Sequence, residues 1–397
     1  MKILQTIAGF GLHSGGTTSC TYDLLEAMNS STATADLLTP DIAPGVNDVL
    51  AGKGEEWIKA VPFDCRTPYA FSRNFHRYLQ KNKYDLYHTN GMWLDANHAT
   101  CSYACRHRKP YVITPHGMLY PQALAISPTR KKWMRRLLFD RDLSKAACIH
   151  ATCRQEAEHI RALGIKTPIA VIANPIRIPA TLDEAIAASA LEREKVSAIG
   201  YLGRLHPRKH VDRIIKAFAQ SADNEHRLII MGKGTAEYEQ ELKDLAKSLH
   251  KEEQIIFEGF VSGDEKLQKL ASLRALIVAS DFENFGMIVG EALLCQTPVI
   301  CTKTAPWQDL EVYKCGHWVD NDVETLSDHI YNILRLPLSR IETMGRNGRD
   351  LIEYDYNPDI IAQRMIRLYH WLLGQGDKPE FVFSETKNII KKNYDRK

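Results

Sequence analysis

The chain reads as an α/β protein made of two doubly wound, Rossmann-like domains, and three observations lead there. Strand-length apolar runs alternate with amphipathic helical runs almost from end to end, the pattern of parallel sheets wrapped by helices. With 397 residues and 44% hydrophobic content, the chain is long enough for two cores rather than one. The alternation also breaks once near its middle. Residues 174–191 hold Pro175 and Pro179 and then turn rich in Ala and Glu, and this run is read as the linker.

Before the break the strand candidates are residues 2–7, 36–39, 85–88, 111–114, 148–152 and 169–172; after it they are 198–202, 227–231, 254–257, 275–279, 298–301 and 317–319. This places one domain over 1–180 and the other over 195–357. Two such sheets are expected to face each other across a cleft lined by their carboxyl ends. A strongly apolar helical run, IIAQRMIRLYHWLL at 360–373, follows the second series within an expected helix over 358–374. Residues 377–397 are polar and Lys-rich, and read as a loosely held tail.

Composition excludes several classes. A formal net charge of +3 argues against bulk nucleic-acid binding, so no nucleic-acid partner is expected. No stretch approaches the roughly 20 apolar residues that span a bilayer. The opening MKILQTIAGFGLHSGG is too short in its apolar part for a signal peptide and ends in a glycine-rich turn. Nine cysteines without a framework indicate a reducing, cytoplasmic setting. The only metal-like cluster, His98, Cys101, Cys105 and His107, matches no common zinc spacing. Buried helix cysteines are the better account of it, and no metal site is expected.

The most informative run is SDFENFGMIVGEALLCQTPVI at 280–300. A buried strand precedes it, and a helix is expected to begin near Gly286. Glycine in a turn that opens a helix aims free backbone N–H groups outward, which suits phosphate oxygens. Glu283 precedes the helix and Glu291 follows its first turn, so the two carboxylates could grip hydroxyls on either side of a diphosphate. The run YLGRLHPRKH at 201–210 also follows an apolar strand. Its Arg204 and Lys209 place a guanidinium fork and a point charge where a diphosphate needs them; alone, the run would read as a solvated basic loop.

GFGLHSGG at 9–16 is a weak dinucleotide fingerprint, because its third glycine falls at the wrong offset. It is either a structural turn or a place where Gly15 and Gly16 let the backbone approach a ligand. TPHG at 114–117 sets His116 in a turn at a strand end, where a neutral imidazole can donate to a sugar hydroxyl or accept from one. PTRKKWMRRLLFDRD at 128–142 is basic and amphipathic. Its apolar face, with Trp133, Leu137 and Leu138, either lies on an anionic membrane or packs inward. Trp307 either lines the cleft near an acceptor or packs a loop.

These residues resemble the retaining glycosyltransferases of family 4, with the GT-B architecture, over nearly the whole chain. The group's paired glutamates match Glu283 and Glu291 in E-N-F-G-M-x-x-x-E-A-L. Its G-R-L-x-x-x-K element matches residues 203–209, its glycine pair matches Gly15 and Gly16, and its cleft His resembles His116. The resemblance implies that Arg204 and Lys209 hold the donor diphosphate, and that the backbone of Asn284, Phe285, Gly286 and Met287 cradles phosphate and sugar. Glu283 would bind donor-sugar hydroxyls, Glu291 the ribose, and His116 the sugar. Phe260 and Val261 would line the base pocket. The run at 360–373 resembles the helix that crosses back to the first domain.

One departure is His210, where the family commonly has Gly after the phosphate Lys. The activity implied is transfer, with retention of configuration, from a nucleotide-diphosphate sugar to a hydroxyl on a glycan or lipid-linked acceptor, in surface polysaccharide or lipopolysaccharide biosynthesis. No cofactor or metal is implied, the nucleotide sugar being a co-substrate. The protein would be cytoplasmic, with peripheral membrane contact through 128–142. The alternatives are a non-catalytic sugar-nucleotide-binding protein and a nicotinamide-dependent oxidoreductase, the latter disfavoured by the incomplete glycine fingerprint.

Overall fold

A computed structural model of the chain describes residues 1–384. It forms two units, residues 1–175 together with 358–384, and residues 176–357. The first unit holds β1 (Lys2–Ile7), β2 (Thr34–Pro40), β3 (Ile58–Val61), β4 (Leu86–Asn90), β5 (Tyr111–Thr114), β6 (Cys148–Ala151) and β7 (Ile169–Val171). The second holds β8 (Ala198–Leu202), β9 (Arg227–Met231), β10 (Ile255–Gly259), β11 (Ala275–Val278), β12 (Val299–Thr302) and β13 (Gly316–Val319). A last strand, β14 (Val382–Phe383), returns to the first sheet.

The first sheet runs β14-β7-β6-β5-β4-β1-β2-β3 and the second β10-β9-β8-β11-β12-β13. Every pairing is parallel except that of β14 with β7. Helices cover both faces of a parallel sheet, so its central strands are buried along their length rather than alternating between a core face and a solvent face. The fully buried ALIV of β11 and VICT of β12 show this. The covering helices bury one stripe: Val211–Ser221 hides Val211, Ile214, Ile215 and Phe218, the spacing of a helical face. In the first unit, helix Pro358–Leu372 buries Ile361, Met365 and Tyr369 and packs on helix Gly16–Asn29.

Both sheets reverse strand order once, between β1 and β4 and between β8 and β11. At such a point the connections leave toward opposite faces, and the loops at the strands' carboxyl ends open a crevice where ligands bind. The loops after β8 and β11 contain residues 203–210 and 280–286, and those after β1 and β5 contain 9–16 and 115–117.

Several expectations need correction. The run read as a linker is mostly helix Leu182–Lys195, packed on helix Gly263–Ser272. Ser189 is buried there and its hydroxyl donates to the Gln268 carbonyl at 2.9 Å. Ala and Glu are strong helix formers, which the linker reading discounted. The unit boundary accordingly falls at 175/176, not at 180 or 195. The segment read as a tail from 377 is anchored at its start, where Val382 and Phe383 pair with β7 and are buried; residues 385–397 lie outside the described residues.

Within the cysteine cluster, His98 bonds through Nδ1 to Asp142 at 2.7 Å and His107 through Nδ1 to the Tyr103 carbonyl at 2.8 Å. All nine cysteines are free thiols. Among the described residues no helix is long and apolar enough to cross a membrane.

Candidate functional site

In the second unit the loops after β8 and β11 are tied together through the residues the sequence singled out. The Asp281 amide donates to the Arg208 carbonyl at 2.8 Å. Lys209 Nζ forms an ion pair with Glu283 Oε1, which also accepts from the Ser280 hydroxyl at 2.8 Å. Arg204 is exposed, and its carbonyl accepts from the buried Tyr201 hydroxyl at 2.9 Å. An exposed guanidinium and a tethered ammonium thus stand on the one loop after β8, and the ammonium is tied to the loop after β11.

His210 adopts the left-handed conformation, with φ 49° and ψ 44°, so the loop keeps the backbone shape that glycine favours at this position. A side chain there costs about 1–2 kcal/mol. The cost is offset by the bond from His210 Nε2 to Asp281 and by Asp212 at 3.6 Å from Nδ1, so the substituted residue adds a further tie between the two loops. Behind them, Gly232 permits a close approach that the sequence reading did not single out. A Cβ there would lie 1.8 Å from the Gly203 carbonyl oxygen.

Gly286, at φ 77°, caps helix Met287–Leu294 with no side-chain hydrogen bond to the cap. Gly286 itself brings no side chain to the first N–H groups of the helix, and such a helix start attracts anions. Phe285 is buried, and its carbonyl accepts from Trp307 Nε1 at 2.5 Å. The rings of Phe285, Trp307 and Tyr356 pack at centroid distances of 5.2–5.9 Å. Trp307 is 1% exposed, so it holds the turn from behind and does not line a binding surface. Glu291 is paired with Lys266 at 2.9 Å, a partner the sequence reading missed. Phe260 is 68% exposed just past β10, whereas Val261 is buried and offers no side-chain surface to a ligand.

The first unit holds the remaining residues. Gly15, at φ 87°, caps helix Gly16–Asn29, and a Cβ on it would meet nothing within 4 Å. His116 sits at φ 50° in the turn after β5, with Nε2 3.0 Å from Asn90 Oδ1. The turn is clamped by the buried Glu156 carboxylate, which accepts from the Gly117 amide at 2.5 Å and from the Thr152 amide at 2.8 Å. Burial, and secondarily the neighbouring His150, push the His116 imidazole down to about 3. It is therefore neutral at physiological pH, and a weak base.

Burial likewise lowers His88, and it lowers His150 to about 4. An imidazole depressed in the folded state stabilises the fold fully above its unfolded value, and that contribution is lost as pH falls below about 6.5. At pH 5 the unfolded chain protonates His150 and the folded chain does not, a difference of about 2 kcal/mol. Urea unfolding of the wild type should therefore lose about 2 kcal/mol more than His150→Gln between pH 7.5 and 5.0. Equal losses would contradict the neutral buried ring.

Residues 128–145 form helix Pro128–Met134, a π-helical turn Arg135–Phe139 and helix Asp140–Lys145. Trp133 and Leu137 are 58% and 68% exposed, whereas Leu138 packs toward the core. Of the three residues named on the apolar face, only Leu138 packs inward, together with Met134 and Phe139 of the same segment.

Comparison with known proteins agrees with this geometry. Residues 183–351 match the family "Glycosyl transferases group 1" and residues 15–175 match "Glycosyl transferase 4-like domain". The chain belongs to the GT-B glycosyltransferases of this group. An uncharacterised glycosyltransferase of Methanocaldococcus jannaschii is 27% identical over 172 residues, 43% of either chain. A GDP-mannose-dependent monoacylated alpha-(1-6)-phosphatidylinositol monomannoside mannosyltransferase of Corynebacterium glutamicum is 28% identical over 175 residues, 42% of this chain and 45% of its own. The matches thus span less than half the length of these curated relatives. Among solved structures, sucrose-phosphate synthase from Thermosynechococcus elongatus superposes with a TM-score of 0.74 at 22% identity, covering 95% of this chain and all of that one.

Proposed function

We propose that the chain is a retaining glycosyltransferase that moves a sugar from a nucleotide-diphosphate sugar to a hydroxyl of a glycan or lipid-linked acceptor, without a metal. The observation that carries this reading is the joined pair of loops at the switch point of the second sheet. Arg204, the Lys209–Glu283 pair and a helix start whose glycine cap carries no side chain stand together there. As the glycosidic bond breaks, negative charge grows on the leaving diphosphate. Fixed cations and backbone N–H groups lower that barrier because they need no reorganisation.

Glu283 would hold sugar hydroxyls and Glu291 the ribose, each replacing a lysine partner in part. Phe260 offers an open ring face for the base. The backbone from Asn284 to Met287 would cradle phosphate and sugar. In the first unit, Gly15 leaves room for close approach, Gly16 would extend that room, and His116 would meet a carbohydrate hydroxyl. No side chain in the second-unit site is arranged as an obvious nucleophile. Front-face attack, in which the departing phosphate takes the acceptor proton, is the mechanism the family resemblance supports.

Purified chain, offered a set of nucleotide sugars that includes GDP-mannose, should release the nucleoside diphosphate of one donor faster than background. The new linkage should keep the donor's anomeric configuration by NMR, and EDTA should leave the rate unchanged. An inverted product or a rate abolished by EDTA would contradict the mechanism.

A role in surface polysaccharide or lipopolysaccharide biosynthesis, on the cytoplasmic side of a membrane, is part of the same proposal. It draws support from Trp133 and Leu137, exposed beside Lys132 and Arg136, since apolar and cationic side chains together favour anionic lipid surfaces. The chain should float with anionic vesicles and not with neutral ones, and equal recovery with both would count against it.

A further inference from the structure

A connected set of buried polar side chains in the first unit leads from the end of β7 to His116. His150 Nε2 lies 2.8 Å from the Ile172 carbonyl. A carbonyl only accepts, so Nε2 carries the proton and Nδ1 is a lone pair. That lone pair accepts from the Thr114 hydroxyl at 2.8 Å. With its proton given to His150, Thr114 Oγ1 accepts from His88 Nε2 at 2.5 Å.

His88 Nδ1 then accepts from the Tyr369 hydroxyl, also at 2.5 Å. The Tyr369 oxygen accepts from the Gln5 amide nitrogen at 3.1 Å, and Gln5 Oε1 from the Asn90 amide nitrogen at 2.9 Å. Asn90 Oδ1 is left to face His116 Nε2 at 3.0 Å. Every link points the same way, so the proton of the neutral His116 ring must sit on Nε2. Its Nδ1 takes no hydrogen bond from a described residue.

We propose that this chain is a tautomer lock, in which Asn90, Gln5, Tyr369, His88, Thr114 and His150 are positioning residues that leave His116 one role, accepting a hydrogen bond at Nδ1. The ligand group it takes must carry a proton: a hydroxyl fits, whereas an ionised phosphate oxygen would set lone pair against lone pair. That the hydroxyl belongs to a carbohydrate rests on the transferase reading above; the lock does not. The lock also gives helix Pro358–Leu372 a part in the site, because its Tyr369 hydroxyl is the link between the strands' histidines and the amide pair.

The test is the tautomer itself. Long-range proton–nitrogen NMR correlations of the full chain, labelled with nitrogen-15 histidine at pH 7.5, distinguish the two ring forms, and His116→Gln assigns the signal. The wild type should show His116 as a single Nε2–H tautomer. In Thr114→Val, a proton on His88 Nε2 would have no acceptor, so it moves to Nδ1. Tyr369 then accepts from His88 and donates to Gln5, both amides reverse, and His116 should change to the Nδ1–H form.

Tyr369→Phe interrupts the chain instead and should give His116 as a mixture of both forms. An Nδ1–H ring in the wild type, or an unchanged single Nε2–H form in either folded variant, overturns the lock. No donor is needed for this measurement. Its failure is therefore distinct from failure of the transferase reading, which nucleoside diphosphate release tests.

Discussion

Replacing Lys209 by Ala is expected to lower kcat by roughly 10²–10³-fold, the usual effect of removing one preorganised group from a site of developing charge. The expectation follows from position. Lys209 stands on the loop after β8 at the switch point, and its ammonium is held by Glu283 on the loop after β11. A cation tethered in this way costs little ordering when a diphosphate arrives, and transition-state charge strengthens its hold more than ground-state binding does. Lys216→Ala is the control. Lys216 is more exposed, and its pairing with Asp212 at 3.3 Å is a one-turn helix contact of a kind worth a few tenths of a kcal/mol at most. Its kcat should stay within twofold of the wild type. Comparable losses in both variants would show that general charge, not the site, governs the rate.

Trp307→Ala should cost about 3–5 kcal/mol of stability, the range for deleting a large buried aromatic. The indole is fully buried, touches Phe285 and Tyr356, and spends its only donor on the Phe285 carbonyl. Its loss leaves a cavity behind the 283–287 turn and frees the segment that opens helix Met287–Leu294. Turnover should fall as well, since that turn carries the backbone proposed to cradle phosphate. Urea unfolding and steady-state kinetics on one preparation check both parts. A variant of wild-type stability, or a destabilised one with full kcat, would separate Trp307 from the site.

The sheets were largely legible because buried parallel strands announce themselves as apolar runs. The runs LIIM in β9 and ALIV in β11 need no context. β3 escaped notice because IKAV is an edge strand whose first three residues are part-buried or exposed, so no continuous run marks it. β14 has two residues, too few for any period, and only its pairing with β7 reveals it. The motifs at 203–209 and 283–291 stood out in the sequence because glycines and charged residues there follow strand-length apolar runs.

Their supports were not legible. His210 adopts the conformation of the glycine it replaces, and nothing local in the run announces the Asp281 bond that holds it. The tautomer chain joins Gln5, His88, Asn90, Thr114, His116, His150 and Tyr369. Adjacent strands and the last helix bring these side chains together across more than three hundred and fifty residues of chain. Each alone reads as a core histidine, amide or tyrosine. Only the pairing of β1, β4, β5 and β6 turns them into one network.

Calorimetric titration of the chain with nucleoside diphosphates tests the central claim most directly. The account predicts saturable one-to-one binding of at least one of them. Arg204→Ala and Lys209→Ala should each weaken it by about tenfold or more, since each removes a charged hydrogen bond worth roughly 1.5–3 kcal/mol. Absence of binding by every nucleoside diphosphate, or binding indifferent to both substitutions, would contradict it.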